Sequence, residues 1–490
     1  MKRLLIGVGF VLCLGCFAKA DPSAALRPAL SLSNGTGLAE QVDAIIGESL
    51  AKRVQFSIHV VQAPSGRTLY DHDARELMMP ASNMKIITSA AALKYLGPDY
   101  EFKTRVGLLG NALVVIGSGD PLLGDEKTDA KYGREPGWIF KDIANALKAK
   151  GIGTIEDIIV DSSVFDDELV HPNWPVKDLN KWYACEVSGL NFNDNCVRIS
   201  AKNIDGKIEI SLDPPTSFIT LINKVEAISK GSGAVGTYRS RQPNNLTVFG
   251  NCRDAVGPFD VAIERPAAFF GYLLFEHLAK ADIVVKGHLV EKALDDYSGF
   301  RPLVEYSTPL ADCLARCNKN SLGLAAESLL KKIAAQSNPD GKNGSWEKGR
   351  ELICRYLTQI GLDNSQYYID DGSGLSRQNE LTACAITTVL VDIYRGQNWQ
   401  FYRDSLAVGG QDGTIEQYFK QEPYMERIRG KTGFISGVRS FSGICSTTEG
   451  DVIFSILSNN TNGETRTVIN DIAQAIIDDA DSRNVTEDQD

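Results

Sequence analysis

Two side chains three positions apart have the types needed for nucleophilic catalysis by serine. Ser82 is followed by Lys85, and a serine hydroxyl needs a neighbouring base because it is almost fully protonated at neutral pH. Positions three apart lie on one face of a helix, so we expect the Lys85 amine to reach the Ser82 oxygen. The spacing therefore predicts acyl transfer with Ser82 as nucleophile and Lys85 as base.

The same spacing occurs twice more, so it is not specific by itself. Ser328 precedes Lys331, and Ser345 precedes Lys348. Only the first copy stands at the N-terminus of a predicted buried helix, over 84–96, where the helix end favours developing negative charge. We therefore expect the first copy alone to be catalytic.

Further segments complete a family pattern. They are 79–85 with 88–93, 371–377, 409–414, and Lys431-Thr432-Gly433 followed by Ser442-Gly443. This pattern resembles the S13 peptidases, the penicillin-binding-protein-4-like D-alanyl-D-alanine carboxypeptidases and endopeptidases, over nearly the whole chain after the first twenty residues. The resemblance implies an α/β domain of the serine β-lactamase and transpeptidase type, with an antiparallel sheet and helices. The 239 positions between Ser82 and Ser321 resemble the family's two inserted β-rich domains, the second nested in the first.

The resemblance also implies roles for single residues. Ser321 would pass a proton to the leaving amine, but Gly323 stands where the family's Ser-x-Asn motif has asparagine. That asparagine would brace the lysine and bind the substrate peptide. Asp161 resembles an aspartate that contacts the free amino group of the peptide stem.

The triplet near the end of the chain is implied to bind substrate. Lys431 would attract the terminal carboxylate, and Thr432 would help to hold it beside Gly433. Phe434 replaces a hydroxyl residue of many relatives, although its backbone N–H remains available for an oxyanion hole with that of Ser82.

Length and charge restrict the class of protein. The chain has 490 residues, more than the roughly 250–300 over which one hydrophobic core extends, so two or three domains are expected. Its net charge is −11, and loss of the three basic residues of a leader would make it −14. Such an acidic protein is not expected to bind nucleic acid.

The first twenty residues are typical of a cleavable export signal. Lys2 and Arg3 precede an apolar run over 4–17, and an Ala-Lys-Ala site ends at Ala20. We expect cleavage after Ala20, a periplasmic location and no transmembrane segment. Lipidation at Cys16 is the disfavoured alternative, since a cysteine stands three residues earlier where a lipobox has leucine.

The pattern of apolar residues predicts where the domains divide. Helices are expected over 38–52, 84–96, 324–335, 346–360 and 467–477, and strands over 54–61, 67–70, 440–446 and 452–457. Both ends of the chain would therefore build one domain. The predicted divisions are 1–20 for the signal, 21–104 and 296–480 for the two parts of the transpeptidase-like domain, 105–295 for the inserted domains, and 481–490 for an acidic tail.

Cysteine and histidine usage indicates neither a metal nor a cofactor. Eight of the ten cysteines follow the signal, and an oxidising compartment permits disulfides. Cys185, Cys196, Cys313 and Cys317 are candidates, but the pairing stays open, as do free thiols. After the predicted signal, no H-E-x-x-H, G-x-S-x-G or C-x-x-C metal spacing occurs.

The sequence thus predicts a serine-type D-alanyl-D-alanine carboxypeptidase or endopeptidase that acts on peptidoglycan stem peptides through an acyl-enzyme on Ser82. Its expected partners are peptidoglycan peptides and β-lactams. A catalytically impaired protein that binds peptidoglycan or penicillin is the alternative, because of Gly323. A β-lactamase is disfavoured by the large insert. Oligomeric state and the preference between a terminal D-alanine and a cross-link stay open.

Overall fold

The computed structural model describes residues 37–487; the predicted signal and its cleavage site lie outside this range. The helices are α1 (Leu38–Ala51), α2 (Met84–Leu96), α3 (Glu126–Lys131), α4 (Trp138–Ala149), α5 (Pro266–Lys280), α6 (Leu310–Asn318), α7 (Gly323–Ser337), α8 (Trp346–Gln359), α9 (Ala383–Arg395), α10 (Trp399–Arg403) and α11 (Thr465–Glu487). The strands are β1 (Gln55–Gln62), β2 (Thr68–His72), β3 (Glu101–Leu109), β4 (Ala112–Ile116), β5 (Thr154–Ile155), β6 (Ile158–Asp161), β7 (Cys196–Ile204), β8 (Lys207–Asp213), β9 (Thr220–Ala227), β10 (Ala234–Arg239), β11 (Asn245–Cys252), β12 (Ala255–Ala262), β13 (Val284–Val285), β14 (Leu289–Glu291), β15 (Arg301–Pro309), β16 (Tyr367–Tyr368), β17 (Glu380–Leu381), β18 (Ala407–Val408), β19 (Ile428–Ile435), β20 (Val438–Thr447) and β21 (Gly450–Asn459).

One six-stranded antiparallel sheet joins the two ends of the chain. Its order is β18-β19-β20-β21-β1-β2, and Gln55 of β1 lies opposite Asn459 of β21. Helices α1 and α11 cover one face, where apolar side chains of β1, β20 and β21 form a core with them. Helices α2 and α9 lie on the other face. The predicted α/β fold with an antiparallel sheet is confirmed.

Helix α2 is buried on nearly every side, as its apolar sequence predicts. It packs against α6, α7, α8 and α9, so its first ten residues, from Met84 to Leu93, are all buried. It ends at Gly97, whose φ of 83° breaks the helical path while its N–H still donates to the Leu93 carbonyl. This rigid helix carries Lys85 and begins directly after Ser82.

A second core occupies the middle of the chain. The five-stranded sheet β14-β6-β4-β3-β15 packs against α4 and α5, and two three-stranded sheets, β10-β11-β9 and β12-β7-β8, adjoin it. The middle of the chain is predicted to be β-rich and neither helix is predicted, although Ile139, Ile143 and Leu147 in α4 have helical spacing and are fully buried. The divisions at 105 and 295 stay a prediction.

The last helix is longer than its apolar pattern indicates. The pattern predicts 467–477, whereas α11 continues to Glu487, into the range expected as an acidic tail. Acidic side chains of the extra turns are bound by neighbours: Arg427 pairs with Asp481 at 2.7 Å, and Tyr424 donates to Asp478 at 3.0 Å. The extension is therefore stabilised by polar contacts that hydrophobic periodicity does not reveal.

All eight cysteines from Cys185 to Cys445, which lie within the described residues, are free thiols, including the four candidates for disulfides. Within residues 37–487, no helix is both long and apolar enough to cross a membrane. The same range holds no cluster of three or more His, Cys, Asp or Glu side chains suited to a metal.

Candidate active site

The two residues of the first Ser-x-x-Lys copy lie in contact. Ser82 is in a single 3-10 turn over Ala81–Asn83 that leads into α2. The Lys85 Nζ lies 3.2 Å from the Ser82 Oγ, and the lysine is 2% exposed. Burial lowers the pKa of the Lys85 amine, against the opposing effect of Cys317, Glu327 and Asp371. A lowered pKa increases the neutral fraction that can accept a proton.

The two other copies have no such arrangement. Ser328 is buried inside α7, and the Nζ of Lys331 is 2.7 Å from Asp166 and 4.1 Å from the Trp346 ring centre. Ser345 caps the N-terminus of α8, and Lys348 pairs with a glutamate at the surface. In both copies the contacts described here are structural, and the lysine amine binds a partner other than the serine of its own copy.

Ser82 is held in place by close backbone contacts from two later segments. Ala81 has a φ of 46°, in the left-handed region that non-glycine residues rarely adopt. A Cβ on Gly374 would lie 1.8 Å from the Ala81 carbonyl oxygen, and one on Gly433 would lie 3.0 Å from the Ser82 nitrogen. The turn at 371–377 and strand β19 thus approach the nucleophile as only glycine permits.

We expect Gly433→Ala to lower acylation of Ser82 by about 100-fold, since displacing a reactive group by about 1 Å has effects of this size. The new methyl group would lie 2.1 Å from the Ser440 Oγ and 2.9 Å from the Pro80 carbonyl oxygen, so β19 must move away. The acylation rate with a chromogenic cephalosporin is the measurement. Gly47→Ala in α1 is a control for folding, because a Cβ there meets no atom within 4 Å and the backbone is helical; equal rates for both variants would contradict the prediction.

The carbonyl of Ser373 fixes the side chain of Lys85. The Lys85 Nζ donates to it at 2.7 Å. Ser373 also adjoins Gly323, the position where the asparagine is missing: a Cβ on Gly323 would be 4.0 Å from the Ser373 Cβ and 3.1 Å from the Tyr183 carbonyl oxygen. A backbone carbonyl therefore braces Lys85 here without the asparagine side chain.

Glu327 in turn holds the backbone around that carbonyl. Its carboxylate accepts hydrogen bonds from the N–H of Gly372 at 2.9 Å, the N–H of Ser373 at 2.7 Å and the indole N–H of Trp346 at 2.8 Å. Burial raises the pKa of Glu327 to about 7. These contacts position the carbonyl that binds Lys85, and no spacing in the sequence indicates them.

Glu327→Gln tests this positioning role. A glutamine amide cannot accept from both backbone N–H groups, so we expect acylation to fall at least about 10-fold. The charge of Glu327 raises the pKa of Lys85; removing it lowers that pKa further, so the acidic limb of the rate profile should move to lower pH. Acylation rates across pH measure both effects, with the exposed Glu351→Gln as the matched control. A lower rate without a shift of the acidic limb would contradict the predicted effect of Glu327 on the pKa of Lys85.

Lys431 lies beneath the same site. It is fully buried, and its Nζ donates to the Thr432 carbonyl at 2.7 Å. Burial, and then the neighbouring charge of Lys85, lowers its pKa well below the usual range. Thr432 points to the other face of β19, where its hydroxyl donates to that of Thr414 at 2.8 Å. Phe434 follows on that face and is 62% exposed.

Three polar residues tie the nucleophile to the sheet. Ser440 donates to the Pro80 carbonyl at 2.7 Å. The Asn83 amide is oriented so that it donates to the Lys431 carbonyl at 2.7 Å and accepts from the Ser442 hydroxyl at 2.6 Å. Asn83 and Ser442 lie within segments that the family resemblance includes, but nothing in the sequence indicates that they contact one another.

Two further predicted site residues, Ser321 and Asp161, come from other parts of the chain. Ser321 lies in the turn between α6 and α7 with a φ of 60°, half-buried. Asp161 is 1% exposed, and its carboxylate accepts from the Ser163 N–H, the Leu294 N–H at 3.0 Å and the Tyr297 hydroxyl at 2.9 Å. Within residues 37–487, neither forms a hydrogen bond with Ser82 or Lys85. Their catalytic and substrate-binding roles stay predictions.

Comparisons with known proteins identify relatives of this arrangement. Residues 38–478 match the model of the D-Ala-D-Ala carboxypeptidase 3 (S13) family. A D-alanyl-D-alanine carboxypeptidase of Actinomadura sp. (strain R39) is 28% identical over 91% of this chain and 85% of its own length. The crystal structure of penicillin binding protein 4 from Haemophilus influenzae is similar with a TM-score of 0.74 and 22% identity, over 91% of this chain and 99% of that one. The same protein complexed with a β-lactam gives a TM-score of 0.69 and 20% identity, over 90% and 98%.

Proposed function

The chain belongs to the S13 family of D-Ala-D-Ala carboxypeptidases, and from this premise we propose that it hydrolyses D-alanyl-D-alanine peptides of the cell wall through an acyl-enzyme on Ser82. The observation that carries the proposal is the contact between the Lys85 amine and the Ser82 hydroxyl. Lys85 is buried and has a lowered pKa, which suits it to act as a base.

The reaction divides into two steps. The Ser82 oxygen attacks the carbonyl carbon between the two D-alanines while its proton moves to Lys85. The N–H groups of Ser82 and Phe434 stabilise the oxyanion, and collapse of the intermediate breaks the peptide bond as Ser321 relays the proton held by Lys85 to the leaving amine. Water then attacks the acyl-enzyme, releases the shortened peptide and returns the proton to Ser82.

The location and the substrate belong to the same proposal. The protein is exported to the periplasm by the predicted signal, where stem peptides are accessible and β-lactams reach Ser82. Asp161 contacts the free amino group of the stem peptide. The enzyme acts on the terminal D-alanine or on a cross-link, both of which contain the same D-alanyl bond.

The bracing of Lys85 by Ser373 supports turnover rather than mere binding. Without the asparagine at 323, the lysine still has a fixed acceptor at 2.7 Å. The test is D-alanine release from a D-alanyl-D-alanine peptide, run beside intact-mass detection of the penicillin adduct. Release together with an adduct is the expected result. An adduct without release would identify an impaired binding protein. The absence of both the adduct and D-alanine release would contradict the proposal.

A further inference from the structure

Among the described residues, two arginines on the face of the sheet opposite Lys85 have no acidic partner. Within residues 37–487, neither Arg439 nor Arg466 forms an ion pair, and the buried Nε of Arg466 forms no hydrogen bond. Arg439 is half-buried, so burial lowers its pKa, and the charge of Arg466 lowers it further. Two like charges held close together without a carboxylate favour an anionic ligand between them.

Arg439 lies on the strand that pairs with β19, the strand that contacts Ser82. Arg439 lies opposite Phe434 in the pairing of β19 with β20, and its guanidinium is 4.5 Å from the centre of that exposed ring. Gly433, the next residue along the strand, is the one that packs against Ser82. Arg466, near the start of α11, stacks on a tyrosine ring at 4.4 Å.

The residue expected to attract the substrate carboxylate is poorly suited to it. Lys431 is fully buried, and its Nζ donates a hydrogen bond to the main-chain carbonyl of Thr432. Burial and the charge of Lys85 lower the pKa of Lys431 well below the usual range. An arginine keeps its charge across the physiological range and presents a planar fork that matches a carboxylate. The dependable positive charge at this end of β19 therefore belongs to Arg439 and Arg466.

We propose that Arg439, assisted by Arg466, binds the terminal carboxylate of the substrate at the outer face of β19, beside the hydroxyls of Thr432 and Thr414. This inference rests on the proposed function and adds the cation that recognises the substrate's negative charge. The substrate lies along the edge of β19, with the scissile carbonyl at Ser82 and its carboxylate turned towards the arginine pair. Phe434 supplies the apolar surface under the guanidinium.

The test compares benzylpenicillin with its methyl ester, which keeps the β-lactam ring but lacks the negative charge. Acylation rates are measured by intact mass for the wild type, Arg439→Gln, Arg439→Lys and Arg466→Gln. We expect Arg439→Gln to lower the rate with the acid on the order of 10- to 100-fold and to leave the rate with the ester unchanged. Arg439→Lys should be intermediate, because it keeps the charge without the fork, and Arg466→Gln should have a smaller effect of the same sign.

The exposed Arg241→Gln removes an equal charge in the middle of the chain and is the matched control. If the ratio of acid to ester rates is the same in Arg439→Gln and in the wild type, the arginine subsite is wrong while the acyl-enzyme mechanism stands. If neither compound acylates the wild type, the proposed function fails, and this inference fails with it. A fall in both rates together would show distortion of the site and would also contradict carboxylate recognition.

Discussion

Ser82→Ala is expected to abolish labelling by penicillin and to lower D-alanine release by at least about 10⁴-fold, because no other group can form the acyl-enzyme. The loss should be in the chemical step, since the hydroxyl is small and its removal leaves the surrounding backbone contacts of Gly374 and Gly433 intact. Intact mass after incubation with penicillin measures it: the wild type gains the mass of the opened β-lactam, and the variant does not.

The other Ser-x-x-Lys copies provide matched controls for this experiment. Ser328→Ala removes a buried hydroxyl that forms no hydrogen bond with the described residues, and Ser345→Ala removes only a helix cap. Both should be labelled like the wild type, although the lost cap should lower the free energy of unfolding by about 1 kcal/mol. Labelling of Ser82→Ala together with loss of labelling in Ser328→Ala would locate the nucleophile elsewhere.

Lys85→Ala is expected to lower the acylation rate by about 10²- to 10⁴-fold, the usual contribution of a general base. The wild-type rate should fall as pH decreases through the lowered pKa of Lys85, because the protonated amine cannot accept the serine proton. The variant should lose this acidic limb as well as the rate. Rates of acylation across pH, measured at saturating β-lactam, separate the two effects.

Lys348→Ala, from the third copy, is the control for loss of a lysine, since Lys348 only pairs with a surface glutamate. It should keep both the rate and the acidic limb. A Lys85→Ala protein that folds, acylates slowly and retains the wild-type limb would show that another group titrates. Lys431 would then be the candidate, because its pKa is lowered by burial and by the neighbouring charge of Lys85.

The fold and the contact between Ser82 and Lys85 could be predicted because their signals are local. Ser82 and Lys85 are one helical turn apart, and the continuous apolar sequence of α2 predicts a buried helix. The segment 452–457, near the end of the chain, is a short run rich in β-branched and aromatic residues, as is typical of a strand. Such patterns do not predict contacts across the chain, so the acceptor of Lys85, a backbone carbonyl at Ser373, has no signal in the sequence.

Glu327 illustrates the same limit for charged groups. Inside a helix, a glutamate is usually a surface residue, and no spacing distinguishes one that is fully buried. Only the tertiary structure places it against the N–H groups of Gly372 and Ser373. The arginine pair behaves similarly, since Arg439 and Arg466 belong to a strand and a helix that are separated by strand β21.

The sheet that joins both ends of the chain also determines when activity can arise during folding. The carbonyl that fixes Lys85 lies 288 positions beyond it, and the hydroxyl that ties down Pro80 lies 360 positions beyond that residue. Contacts this distant form late, because closing long loops costs conformational entropy before the contacts are gained. A chain synthesised only as far as the middle sheets therefore contains Ser82 and Lys85 without the carbonyl of Ser373 and the hydroxyl of Ser440 that hold them in place. We expect Ser82 to become reactive only after the last strands of the sheet have packed.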